Sequence, residues 1–148
     1  MGGKSALERW LGEFYRRVLK DGELGPLFAG MSPDHVSHVT TFIAEVFGGP
    51  KSYSEQRGGH PHMVRQHLDR KLTESQRKRW MNLLFETADD LGIPSDPEFR
   101  SALVGYFEWG SRLAVMNSQP GATVDENARM PHWGWGETKG PYLPDEKR

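Results

Sequence analysis

At 148 residues the chain is long enough to bury a sizeable core in one domain. Nineteen basic residues against twenty acidic ones leave a net charge of −1, which argues against a nucleic-acid partner. The absence of cysteine excludes disulfides, thiolate metal sites and cysteine nucleophiles, and fits a reducing cytoplasm. No apolar run of about 18 residues and no signal-peptide pattern occurs, so no membrane partner is expected and the expected location is cytoplasmic. Hydrophobic residues make up only 36%, a deficit that a bound apolar cofactor or a long polar tail would explain equally well.

Residues 5–20 carry Leu7, Trp10, Leu11, Phe14, Val18 and Leu19 at helical spacing, which predicts an amphipathic helix with Tyr15 at the edge of its buried face. Asp21-Gly22 stops it, and Gly25-Pro26 turns the chain before Leu27-Phe28. Ser32-Pro33-Asp34 supplies a capping serine, an early proline and an acid for a second helix. That helix should run to about Phe47, with Val36, Val39, Phe42, Ile43 and Val46 on its apolar side, and close at Gly48-Gly49-Pro50. Residues 50–62 are rich in glycine and proline and read as a loop. A short helix starting near Pro61 would then place Met63 and His67 one turn apart on one face.

Thr73-Glu74-Ser75-Gln76 is a capping-box pattern that opens a helix through Leu91, with Trp80, Leu83, Leu84, Ala88 and Leu91 inward. Ser95-Asp96-Pro97-Glu98 starts a last long helix, with Phe99, Leu103, Phe107, Leu113 and Ala114 inward. No stretch alternates with period two for long enough to be a strand, so the fold class is all-α. The domain boundaries that follow are a folded unit over residues 1–120 and a Gly- and Pro-rich extension over residues 121–148. The extension holds Trp133, Trp135 and Tyr142, which a purely disordered tail would usually lack, so part of it (residues 131–144) is expected to dock on the body. A loose tail is the plainer alternative.

Six histidines invite a metal reading. No H-E-x-x-H helix exists, and no glutamate has a histidine three residues later, which removes zinc-hydrolase and di-iron patterns. The run Arg65, Arg70, Lys71, Arg77, Lys78, Arg79 reads first as a solvated face; some of these cations could instead flank anionic groups of a ligand, such as haem propionates. His67 is a neutral imidazole on a short helix beside apolar residues, which is what an axial haem ligand requires. Taken alone, a helical histidine beside apolar residues is more often a satisfied core or surface histidine.

The wider pattern is more specific. Gly48-Gly49-Pro50, the run from Tyr53 to Pro61, His67 and, thirteen residues on, Trp80 resemble the truncated haemoglobins of group II, with Phe14-Tyr15 and Leu27-Phe28 agreeing in order and spacing. The resemblance covers roughly residues 2–118. It implies a truncated globin fold, a two-over-two helical sandwich in which helices beginning near residues 5, 33, 74 and 97 enclose haem b. By resemblance His67 is the proximal iron ligand, and its other ring N–H needs an acceptor that the sequence does not name. Phe28 matches the aromatic that packs on the porphyrin face. Val39, Phe42, Ile43, Tyr53, His60, Met63, Arg65, Leu72 and Trp80 complete the implied cofactor contacts. Tyr15 and Trp80 match distal groups whose O–H and N–H point at bound ligand, with His35 at the helical gate. His35 departs from the small residue common there, and could also swing to solvent or ligate the iron.

Such donors, fixed in a dry pocket, stabilise the partial negative charge of bound dioxygen, each hydrogen bond contributing about 0.5–1.5 kcal/mol. The implied function is reversible binding of dioxygen and other small diatomics. A redox role, peroxidase or nitric oxide detoxification, is the alternative, and it needs a reductase that this chain does not encode. A ligand sensor and a haem-free helical interaction module are further alternatives. Two departures from the pattern remain: the short segment expected before Gly2-Gly3 is missing or trimmed, and the tail is longer than a minimal relative needs. Its tryptophans could cover the haem edge, form a homodimer contact or cap the helices.

Overall fold

The computed structural model describes residues 3–68, 70–125 and 127–134, without the side chains of Arg57 and His60; Trp135 and Tyr142 lie outside the described residues. Among these residues there is no strand, and the helices are α1 (Gly3–Lys20), α2 (Gly25–Phe28), α3 (His35–Val46), α4 (Ser52–Arg57), α5 (Gly59–His67), α6 (Glu74–Asp90) and α7 (Pro97–Asn117). The long helix α1 packs on both α3 and α6, and α6 packs on α7, which sets one helix pair over the other. The expected two-over-two sandwich is the architecture observed.

The stripe on α1 explains the crossing. Trp10, Leu11, Phe14 and Val18 have no exposed surface, and the Trp10 indole N–H donates to the Leu84 carbonyl at 3.0 Å, fixing α1 to α6. Burying an indole of this size contributes roughly 4–6 kcal/mol, an upper bound because unfolded chains already bury part of it. Two residues depart from the sequence reading. Tyr15 is fully inside rather than at the edge, whereas Leu19, in the last turn, is exposed. An isolated exposed leucine is ordinary on a globular surface.

The helix α3 begins at His35, later than Ser32 suggests, because the Ser32 hydroxyl accepts the Asp34 N–H at 3.1 Å in a preceding turn and no side chain caps the helix. Its end depends on glycine: the Gly49 N–H donates to the Ala44 carbonyl at 2.7 Å, and a Cβ at Gly49 would lie 2.7 Å from that oxygen. Residues 50–62 are not the expected loop but carry α4 and the start of α5. Gly58, at φ +90°, ends one helix and begins the other, a left-handed joint that glycine makes without steric cost. The buried Glu45 carboxylate secures α4 on α3 by accepting both the backbone N–H, at 2.9 Å, and the hydroxyl of Ser54.

Both later caps form as read. Thr73 Oγ1 accepts the Gln76 N–H at 3.1 Å while the Gln76 side chain accepts the Thr73 N–H at 2.9 Å, and Asp96 accepts the Phe99 N–H at 3.1 Å. The basic run is not uniformly solvated: Arg77 is buried and bridges α6 to α7 through Glu108 at 3.0 Å, with Glu74 as its second partner. A guanidinium is tolerated there because both carboxylates replace its water. Beyond α7, the Trp133 N–H donates to the Val46 carbonyl at 2.9 Å, and its indole lies over Gly105, where a Cβ would sit 3.4 Å from it. No helix among the described residues is long and apolar enough to cross a membrane.

Candidate functional site

The site is built on two groups of side chains, one on α5 and one between α1, α3 and α6. On α5, His67 Nδ1 lies 2.9 Å from the carbonyl oxygen of Met63, one turn earlier. A carbonyl only accepts, so Nδ1 carries the proton and donates, and Nε2 keeps its lone pair. The acceptor missing from the sequence reading is therefore a backbone oxygen. His67 borders a shallow open cleft together with Phe42 from α3, Met63 and Val64 from α5, and Tyr106, Trp109 and Leu113 from α7. Apart from His67, Asn117 and the Tyr106 hydroxyl, these walls are largely apolar.

The second group starts from adjacent residues on α1. Phe14 and Tyr15 stand edge to face at 4.8 Å, and Phe14 meets Trp80 edge-on at 5.2 Å. Burial raises the Tyr15 hydroxyl pKa above its ordinary value, so the group stays protonated at neutral pH, while the Trp80 indole works against that rise. The His35 ring stands nearly perpendicular to Tyr15 at 4.6 Å, with Phe28 at 6.0 Å from His35 and 5.7 Å from Tyr15. His35 Nε2 is buried without a hydrogen-bond partner. Burial, reinforced by the charges of His38, His67 and Arg70, lowers the His35 pKa from 6.5 to about 4, so the ring is neutral at pH 7.

The remaining sequence-predicted residues are spread around these groups. Phe42 meets the buried ring of Tyr53 edge-on at 4.9 Å, and Tyr53 lies 6.0 Å from the ring of His62. Ile43 belongs to the core, with Val39 half-buried against it. Leu72 is held through its backbone: its N–H donates to Ser118 Oγ at 2.9 Å and its carbonyl accepts from Gln119 Nε2 at 2.8 Å. Arg65 is exposed, and the His60 side chain lies outside the described residues. Sequence reasoning missed Val64, Tyr106 and Trp109. The signal for the α7 pair was the continuation of its stripe through Gly110, Leu113 and Ala114, of which only the last two were read as inward.

The bacterial-like globin family model matches residues 1–108. The chain belongs to this family. Its similarity is to the group II truncated haemoglobins: it is 26% identical over 117 residues to the group 2 truncated haemoglobin YjbI of Bacillus subtilis, covering 79% of this chain and 86% of that protein. The solved truncated oxygen-avid haemoglobin from Bacillus subtilis superposes with a TM-score of 0.68 at 26% identity, over 76% of this chain and 93% of that one. The haemoglobin of Chloroflexus aurantiacus gives 0.66 at 29% identity, over 76% and 91%.

As a bacterial-like globin it is a haem-binding protein, and its residues fit the group. The globin presents a largely apolar cleft, an imidazole at its border whose Nδ1 is tied to a backbone carbonyl, and one orphaned buried ring nitrogen on His35. Buried polar atoms are otherwise almost always satisfied, so the orphan marks a place where a polar guest belongs.

Proposed function

We propose that this globin binds dioxygen and other small diatomic ligands reversibly at haem b held by His67. Haem, when bound, supplies a ferrous iron with an open axial position. The observation that carries the reading is the hydrogen bond from His67 Nδ1–H to the Met63 carbonyl at 2.9 Å. It aims a basic Nε2 lone pair away from its own helix and raises its donor strength, as the second partner of a ligating histidine does. Phe42, Met63 and Leu113 line the cleft beside the imidazole. Phe28, Val39, Ile43 and Tyr53 would pack on the porphyrin, and Arg65 and Leu72 would lie toward the propionates.

Tyr15 is the principal ligand-facing donor. Trp80, whose indole opposes the burial-driven rise of the Tyr15 pKa, is the second donor. Neutral His35 adds a third polar edge.

The test is the visible spectrum of haem-loaded protein: ferric, dithionite-reduced, and reduced under carbon monoxide. A Soret band that shifts with carbon monoxide in the wild type is expected. In His67→Gly the reduced spectrum changes and added imidazole restores it. Wild-type spectra in His67→Gly without imidazole would remove His67 as the ligand.

A further inference from the structure

The end of α5 is gripped from the far end of α7. The Lys71 N–H donates to the Ser118 carbonyl at 2.8 Å, and the next amide, of Leu72, donates to Ser118 Oγ at 2.9 Å. Gln119 Nε2 closes the set by donating to the Leu72 carbonyl at 2.8 Å. Ser118 has no exposed surface, and its hydroxyl donates to Val115 at 2.7 Å, so its oxygen is oriented to accept. Gln119 is likewise tied to the Val115 carbonyl at 2.8 Å. Lys71 adopts φ +54°, and it is the non-glycine residue with positive φ among the described residues. A lysine does not choose the left-handed region by itself, so the surrounding bonds impose it. The Arg70 N–H meanwhile donates to the His67 carbonyl at 3.3 Å, which makes the gripped turn continuous with the last turn of α5.

We infer that Ser118 and Gln119 are positioning residues for the iron-binding histidine: they lock the α5–α6 turn and thereby fix the reach and rotation of the His67 ring. This rests on the proposed ligation by His67. The logic is that of the outer partners of metal ligands. The Met63 carbonyl sets which nitrogen holds the proton, whereas the clamp sets where the ring stands. A peptide turn held only by water would let α5 slide along its axis, and a displaced imidazole makes a weaker iron bond.

The test compares Ser118→Ala and Gln119→Met, both in the haem-loaded full chain, with Thr87→Val as a control. Thr87 is equally buried; its hydroxyl donates within α6 to the Leu83 carbonyl at 2.7 Å and accepts from Arg17 of α1 at 3.4 Å, with no contact to the α5–α6 turn among the described residues. The readouts are the iron–histidine stretching band of the ferrous protein and the rate of haem transfer to an excess of apomyoglobin. The clamp predicts a shifted or broadened band and haem loss about tenfold faster in both clamp variants, the lower end of what outer partners of metal ligands carry. The control is predicted to lower the melting temperature with the band unmoved. An unmoved band and unchanged haem loss in both clamp variants would overturn the inference. If either variant fails to load haem, the other decides. His67→Gly run in parallel separates the two layers: a band that persists there overturns the ligation itself, whereas its loss there with no shift in the clamp variants overturns only the clamp.

Discussion

At the scale of single residues, Tyr15 and Trp80 are the proposed donors to a polar ligand. Trp80→Phe keeps an aromatic ring against Phe14 and Phe107 but removes the indole N–H. The expected outcome is dioxygen dissociation faster by about 3- to 10-fold, the equivalent of roughly one net hydrogen bond. Stopped-flow displacement by carbon monoxide measures it, and an unchanged rate would return Trp80 to a packing role. Tyr15→Phe should exceed this effect, since it removes the principal donor.

His35 makes a second prediction at this scale. Its pKa in the folded state, about 4, lies below its ordinary 6.5, so the unfolded chain binds more protons between these values. Stability that is complete above pH 6.5 is therefore lost as the pH falls toward 4. Urea unfolding of the carbonmonoxy protein at pH 7 and pH 5 should differ by about 1–2 kcal/mol more in the wild type than in His35→Gln, after allowance for screening of a partly accessible ring. Equal differences would mean that the ring is protonated in place without cost.

At the scale of elements, the caps separate what is local from what is not. Thr73→Ala and Asp96→Ala should each cost about 1 kcal/mol, measured as a lower urea midpoint with unchanged slope. Ser32→Ala should cost only a few tenths, because Ser32 closes a turn ahead of α3 rather than the helix itself. Both working caps were legible because each lies within four consecutive residues. The stripe of α1 and the glycine stops were legible for the same reason. The helices α4 and α5 were not: Gly58 joins them by a left-handed residue that reads equally well as a loop, and the brace on α4 is Glu45, from another helix. The acceptor for His67 was half legible, since Met63 was placed one turn away, but a backbone carbonyl carries no letter of its own. Arg77 and Ser118 were hidden for a related reason: their partners stand more than thirty residues away along the chain.

At the scale of the whole molecule, the body is held by the α1–α6 crossing at Trp10, while the extension adds a second tie across it. Trp133 touches three places: the Val46 carbonyl at the end of α3, the surface over Gly105, and the rings of Tyr106 and Trp109 at 5.7 and 6.0 Å. Because it is half-buried, Trp133→Ala should cost about 1–2 kcal/mol, less than a core tryptophan, and should speed proteolytic cleavage after α7. Cleavage at the wild-type rate would show that the contact does not hold the extension. We propose accordingly that the globin unit comprises residues 1–120 and that the extension from residue 121 is a partly docked annex.

That tie has a consequence for the order of events during synthesis. Trp133 follows every helix among the described residues and closes on Val46, a residue translated long before it. The helices can therefore pack while the extension is still within the ribosome, and the Tyr106 and Trp109 rings lack their Trp133 contact during that interval. Chain made with a stop codon after residue 120 thus represents the nascent intermediate, and its rate of haem uptake, set against that of the full chain, measures whether the last-made segment affects haem entry.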